Sequence, residues 1–220
     1  MQTSPETSSY AALPSEIPVF PLSGALLLPS GQLPLNIFEP RYLNMVSDAL
    51  GKGRIIGMIQ PRNERDASTT PALFEVGCAG RITQFTETPD GRFLITLSGV
   101  SRFECVQEHP TTRGYRLMTV GWERFEADRG PGGNAQLDRE RLMISLKRYF
   151  EQEQITVDWK VIEGTEESKL ITTLSMICPF SSSEKQALLE APDCKARGEA
   201  LIALLEMRAP GFEGGSDVRH

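Results

Sequence analysis

From Ile17 to Tyr42 the chain alternates short apolar runs with proline corners, IPVFPLSGALLLPSGQLPLNIFEPRY. Proline fixes φ, lacks a donor and restricts the residue before it, so this stretch predicts short extended pieces joined by sharp bends. By the same rule it reads neither as an ordinary helix nor as a central strand. Pro40 then stands where a helix can begin, because its missing N–H would have had no intrahelical partner there. Tyr42, Met45, Val46, Ala49 and Leu50 follow at helical spacing, and Gly51 and Gly53 suit the helix C-terminus.

Downstream the period shortens to two. Arg54 to Gln60 is Ile-rich and predicts a strand, and Pro61 to Ala72 predicts a polar loop. Phe74 to Thr88 and Arg92 to Leu97, joined by Pro89, Asp90 and Gly91, predict an antiparallel hairpin. Val100 to Val106 and Tyr115 to Trp122 supply two further strands, and the regular turn spacing suggests a barrel or folded sheet.

After the glycine-rich ADRGPGGN stretch from Ala127 to Asn134 the period becomes 3.6. Leu142, Leu146, Tyr149 and Phe150 mark one amphipathic helix, and Leu170, Ile171, Leu174 and Ile177 mark a second that Pro179 stops. Ser181 and Glu184 have capping-box spacing ahead of Ala187, Leu188 and Leu189, while Leu201, Leu204 and Leu205 define a last helix. The expected organisation is therefore a polar disordered leader over 1–14, a β domain over 15–126, a linker over 127–134, a helical subdomain over 135–208 and a flexible tail over 209–220.

With 40% hydrophobic and 24% charged residues among 220, the composition is that of an ordinary globular protein. No apolar run has the length of a membrane span and the N-terminus lacks a signal-peptide pattern, so the expectation is a cytoplasmic protein without membrane contact. Cys78, Cys105, Cys178 and Cys194 form no C-x-x-C pair and read as thiols packed like small hydrophobes. The net charge of −6 resides mainly in the C-terminal part: residues 1–124 hold 11 basic against 12 acidic side chains, residues 125–220 hold 12 against 17.

The proline-cornered segment with its E-P-R-Y ending, together with G-M-I-Q at Gly57 to Gln60, E-V-G-C-A-G-R-I at Glu75 to Ile82, P-D-G-R-F-L-I at Pro89 to Ile95 and S-G-V-S-R-F at Ser98 to Phe103, resembles the N-terminal substrate-binding domain of Lon proteases. The P-F-S-S-S-E-K-Q-A-L-L-E run from Pro179 to Glu190 resembles the helical extension of bacterial proteins that consist of that domain alone. One departure is Leu28-Pro29-Ser30-Gly31, where the family usually has phenylalanine, proline and two glycines. The resemblance implies an α+β fold, a PUA-like β pseudobarrel with one or more short helices followed by an α-helical subdomain, and a role in capturing polypeptide, with a link to protein quality control.

Catalytic chemistry finds little to work with. The chain has two histidines, His109 and His220, and no G-x-S-x-G, H-E-x-x-H or phosphate-loop motif. The ATPase and serine-lysine protease domains of Lon have no counterpart in the sequence. Glu166 and Glu167 are adjacent carboxylates that read as helix-start charges rather than an acid–base pair. Glu39 and Arg41 flank the Pro40 bend and suit a local ion pair or a ligand; Phe38 and Tyr42 read first as core anchors beneath the helix; Arg81 and Arg102 read as outward residues with their stems packed over the sheet.

The function expected on these grounds is a non-catalytic module binding unfolded polypeptide or a specific protein partner, with no cofactor, no metal and an open oligomeric state. Exposed apolar residues of the cornered loops, Leu26, Leu27, Leu28 and Leu33, would meet side chains while arginines meet main-chain carbonyls and an open strand edge adds hydrogen bonds. Phe38, Glu39, Arg41, Tyr42, Arg81 and Arg102 complete the candidate surface. The alternative is an RNA-binding PUA-like module, which the near-neutral first part and the missing basic cluster disfavour. A stand-alone peptidase ranks last.

Overall fold

The computed structural model describes residues 13–66, 68–130 and 137–208, so most of the expected leader, part of the expected linker and the expected tail lie outside the described residues. Six strands form one mixed sheet: β1 (Glu16–Pro21), β2 (Gln32–Ile37), β3 (Ile55–Ile59), β4 (Val76–Glu87), β5 (Phe93–His109) and β6 (Arg116–Gly121). Their order is β2-β5-β4-β3-β1-β6, and a further β5–β6 pairing closes β5, β4, β3, β1 and β6 into a ring. The closure depends on the length of β5. Its first half pairs with β2 (Ile37 to Phe93) and its second with β6 (Glu104 to Gly121), so the runs expected as two strands are one.

β1 corrects the expectation that the cornered segment supplies no central strand, since it lies between β3 and β6. Its parallel register with β3 spans Val19 to Pro21, whereas Pro18 is paired only with Leu117 of β6. Proline is thus accommodated where the strand has one neighbour or ends.

Inside the ring, Ile17, Val19, Ile55, Ile59, Ala79, Phe103, Met118, Val120 and Trp122 make a compact core. The Phe103 ring occupies space that glycines leave open: a methyl group at Gly57 would lie 2.8 Å from Phe103 Cζ, and one at Gly77 would collide with the same atom. A second, larger cluster lies outside the ring, where α1 (Pro40–Gly51) buries Tyr42, Met45, Val46 and Ala49. Leu26, Leu27 and Leu28 belong to that cluster, as do Leu142, Leu146 and Tyr149 of α2 (Arg139–Gln152) and Leu170, Ile171 and Leu174 of α4 (Glu167–Ile177). A short helix, α3 (Trp159–Gly164), which the apolar periodicity does not reveal, lies between them.

Helix α5 (Ser182–Glu190) opens with the expected capping box, Ser181 and Glu184 satisfying each other's backbone donors, and α6 (Cys194–Arg208) follows. Glu166 caps α4 by accepting from Ser168 N at 3.2 Å, and Glu167 accepts from Leu137 N at 2.8 Å, which accounts for both adjacent carboxylates. Polar ties seat α5 on the sheet. Gln60 Nε2 donates to Ser182 O (3.1 Å), Gln186 Nε2 to Val76 O (3.1 Å), and the buried Lys185 Nζ to Gly24 O (2.6 Å).

Arg102, expected to point outward, is 3% exposed and is the most heavily bonded of these ties. Its Nη2 and Nε meet the two oxygens of Asp128, in the 3-10 helix over Glu123–Arg129, at 2.7 and 2.8 Å. Its remaining donors reach the Leu189, Ala191 and Pro192 carbonyls between α5 and α6, and its guanidinium lies 4.5 Å over the Phe125 ring. The correction has a simple cause: the partner carboxylate and the carbonyls that make burial tolerable are remote in sequence, so the strand pattern carries no sign of them.

Two outcomes follow for stability. Arg102→Ala leaves Asp128 and three carbonyls desolvated, and urea unfolding should show a loss of about 3–5 kcal/mol, most of it recovered in the Arg102→Met/Asp128→Leu double variant. Ser30, at φ +64° in the Leu28-Pro29-Ser30-Gly31 turn, holds a conformation that favours glycine. Ser30→Gly should raise stability by about 0.5–1 kcal/mol, read as a melting point higher by roughly 1–4 °C.

Candidate functional site

The corner between β2 and α1 gathers several of the predicted site residues and separates them from the rest. Glu39 is the N-cap of α1 in extended conformation, Pro40 is the first helical residue, and Arg41 folds back so that its Nη2 lies 2.9 Å from Glu39 Oε2. The Arg41 guanidinium also lies 4.5 Å over the Tyr42 ring. Tyr42 itself is a core residue, its ring centroid 4.1 Å from that of Phe20, and burial pushes its phenol above the ordinary range. Phe38 differs from the expected core anchor: it is 62% exposed, because the chain leaves β2 just before it and turns at Pro40.

The leucines divide differently from the expectation. Leu26, Leu27 and Leu28 are at most 2% exposed and offer no surface to a ligand, because their loop lies on the sheet at Gly80 and Gly99 and is met by Met176 of α4 at Gly31 and by Ser182 and Lys185 of α5 at Gly24. A methyl group at Gly99 would collide with the Leu28 carbonyl, so the loop lies directly on β5. Leu33 is half-buried against the same core. Arg81 is exposed and donates to Gly53 O at 2.9 Å, remote from the corner along the sheet, and Arg102 is the buried tie described above.

β2 is the open edge. Gly31 O accepts from Gly99 N at 2.8 Å, so along the β2–β5 register Leu33, Leu35 and Ile37 turn their main-chain groups to β5, while Gln32, Pro34 and Asn36 turn theirs outward. Pro34 interrupts the outward donors, a device that limits uncontrolled strand pairing. Near this edge stand further exposed apolar side chains, Leu94 and Phe85, the latter edge-on to Phe93 at 5.0 Å. Phe85 and Leu94 fall on opposite phases of the alternation and so stand on opposite faces of the sheet; Leu94 shares the face of its β2 partner Asn36.

On the other side of Arg41 is a cleft of about 170 Å³ between α1, the 61–72 loop and the turn before β6. Tyr42, Ser68, Thr69, Tyr115 and Arg116 line it. Arg116 is held by Glu108 through two contacts of 2.7 and 2.6 Å and donates from Nη1 to Pro71 O at 2.6 Å. Arg41 Nη1 donates to Thr69 O at 3.3 Å, so both guanidiniums already serve main-chain carbonyls. Across the loop, Glu64 accepts from Ser182 N at 2.7 Å, and hydrogen bonding from the Ser182 side chain and then its backbone holds the carboxyl below the ordinary glutamate range.

Nucleophile chemistry is muted at the thiols. Burial pushes Cys105 up to about 11 and Cys178 up to about 12, and Cys78 is also raised by burial. His109 Nε2 is engaged with Thr119 Oγ1 at 2.6 Å. Among the described residues, no group of three or more His, Cys, Asp or Glu side chains is placed to hold a metal ion, and no helix is long and apolar enough to cross a membrane.

The Glu64 contact has a definite pH sense. A carboxyl lowered in the folded state contributes at pH values above 4.5 and loses its contribution as pH falls through the lowered value. Amide exchange at Ser182 should be faster in Glu64→Gln than in the parent chain near pH 6, and the difference should vanish at strongly acid pH.

Comparison with known proteins agrees with this architecture. The family model for the ATP-dependent protease La (LON) substrate-binding domain matches residues 16–207. Lon protease 2 of Myxococcus xanthus is 25% identical over 207 residues, covering 89% of this chain and 24% of the relative. Lon protease of Flavobacterium johnsoniae is 25% identical over 227 residues, covering 97% of this chain and 27% of the relative. The chain thus spans about a quarter of the length of these curated relatives. Among solved structures, a Lon N-terminal domain protein from Xanthomonas campestris shares the fold with a TM-score of 0.59 at 24% identity, covering 86% of this chain and 97% of that one. The N-terminal domain of Mycobacterium avium complex Lon protease does so with a TM-score of 0.57 at 16% identity over 86% of this chain and 97% of that one. With a closed pseudobarrel, a helical C-terminal part and a family match over nearly its whole described length, the chain belongs to the family of the ATP-dependent protease La (LON) substrate-binding domain.

Proposed function

We propose that this chain is a non-catalytic module that captures extended or unfolded polypeptide, acting in the cytoplasm in protein quality control. The observation that carries the reading is the open β2 edge ending in Phe38, which is 62% exposed, beside the Glu39–Arg41 pair. An incoming segment would pair with the outward main-chain groups of Gln32 and Asn36 and lay apolar side chains over Phe38 and Leu94. The printed description of the family, a substrate-binding domain of an ATP-dependent protease, supports the same reading.

The half-buried or buried thiols and the engaged His109 support a role without covalent chemistry. Electrostatics favour polypeptide over RNA. Arg41, Arg62, Arg113, Arg116 and Arg124 are each paired with a carboxylate within 3 Å, so these five guanidiniums offer little uncompensated charge to phosphate.

The binding surface can be tested with reduced, carboxymethylated lysozyme as the unfolded probe. Phe38→Asp and Asn36→Pro, both on exposed side chains, should weaken binding about tenfold or more while thermal stability changes little. Unchanged affinity in both variants would refute the edge mechanism, and a steep loss of RNA affinity with salt, alongside no lysozyme binding, would favour the nucleic-acid alternative.

A further inference from the structure

The 61–72 loop is closed at its neck and open in its body. Pro61 bridges Leu73, Arg62 N donates to Ala72 O at 2.8 Å and Phe74 N to Gln60 O at 3.0 Å, so the neck is a short antiparallel ladder. Beyond the neck, regular structure ends and Ser68, Thr69 and Thr70 are exposed. Glu64 ties the start of this body to Ser182 N at 2.7 Å, and its Ser68–Pro71 part is held by side-chain bonds to its main chain. Arg41 Nη1 donates to Thr69 O at 3.3 Å and Arg116 Nη1 to Pro71 O at 2.6 Å.

Ser68, Thr69 and Thr70 form a succession of bends, and that turn presents the Thr69 and Pro71 carbonyls to the two guanidiniums. Both guanidiniums are oriented from behind, Arg41 by Glu39 at 2.9 Å and Arg116 by Glu108 at 2.6 Å. Charge fixed in this way donates to neutral carbonyls without demanding a particular side chain. Free space of about 170 Å³ remains beside the segment, and the opposite wall at Gly114, with φ +82°, carries no side chain.

We propose that the Arg41–Arg116 cleft is a site for a turned polypeptide segment read through its main-chain carbonyls, and that the chain's own Ser68–Pro71 segment occupies it as a displaceable stand-in. The proposal rests on the polypeptide-binding reading for the identity of the external ligand, but the stand-in itself is a property of this chain. Displacement breaks two side-chain bonds and moves one buried residue, Pro71, which is a small local cost compared with opening the neck. The cleft adjoins the Phe38 end of the β2 edge through Glu39 and Arg41, so a segment leaving the edge is led toward it.

The test replaces residues 63–71 by Asn-Gly, the shortest turn that closes an antiparallel neck, and measures binding of the synthetic peptide RDASTTPAL by fluorescence anisotropy. The shortened chain should bind the peptide at least about tenfold more tightly than the full chain, and Arg41→Ala/Arg116→Ala in the shortened chain should abolish the gain. A shortened chain that keeps its melting transition and binds no better than the full chain overturns the proposal. Should the shortened chain fail to fold, the isotopically labelled full chain decides: excess peptide should move the amide resonances of Ser68, Thr69 and Thr70 to random-coil positions while those of α1 stay. Resonances unmoved at millimolar peptide overturn it.

Carboxymethylated lysozyme separates the two readings. Peptide bound in the cleft but not displaced by lysozyme upholds the stand-in and refutes the wider polypeptide function. Lysozyme affinity that is identical with and without the loop refutes the stand-in and upholds that function.

Discussion

The Arg102–Asp128 pair is the contact through which sheet, 3-10 turn and helices are held in one register. A buried ion pair adds little net stability over an apolar replacement, because two charges must be stripped of water. Its contribution is direction. The apolar surface between the sheet and helices α4 to α6 is tolerant of sliding, since dispersion and burial have no preferred orientation. Arg102 removes that freedom: its planar fork meets both oxygens of Asp128, and its other edge meets the carbonyls of Leu189, Ala191 and Pro192, fixing the α5–α6 connection over β5.

The neighbouring residues of the S-G-V-S-R-F run serve the same purpose by exclusion. Gly99 admits the Leu28 carbonyl to the face of β5, and Phe103 fills the ring where Gly57 and Gly77 have no side chain. Gly80 does likewise for Leu27, where a methyl group would lie 2.7 Å from Leu27 Cδ2. This run and the strands beside it are therefore matched by packing, with Gly99 making room for the Leu28 carbonyl, Gly80 for Leu27, and Gly57 and Gly77 for Phe103.

Local physics was legible and remote pairing was not. Helix α1, the capping box of α5 and the β4–β5 hairpin follow from residues within a few positions of each other, and the expectations hold with small shifts of boundary. The central place of β1 depends on β3 and β6, whose positions no local pattern conveys. The same distinction explains the site. The Glu39–Arg41 pair spans two positions and could be anticipated, whereas the burial of Leu26 to Leu28 required knowing that the sheet, α4 and α5 meet their loop, and the fate of Arg102 required Asp128. Phe38 was misread in the opposite sense, because an aromatic beside a helix start is usually an anchor and here the turn at Pro40 throws it outward.

These reversals narrow where a ligand can act. With Leu26, Leu27, Leu28 and Tyr42 committed to the core, remodelling the cornered loop to admit a peptide would expose the largest apolar cluster of the protein, a cost of several side chains at about 1.5–3 kcal/mol each. The β2 edge and the 61–72 loop carry no such penalty. Their main-chain groups or side-chain ties are already at the surface, and exchanging one segment for another conserves the hydrogen bonds made. A module of this kind can keep a rigid ring, held by Phe103 and Arg102, while confining adaptation to a strand edge and a loop whose body is fastened by side chains alone.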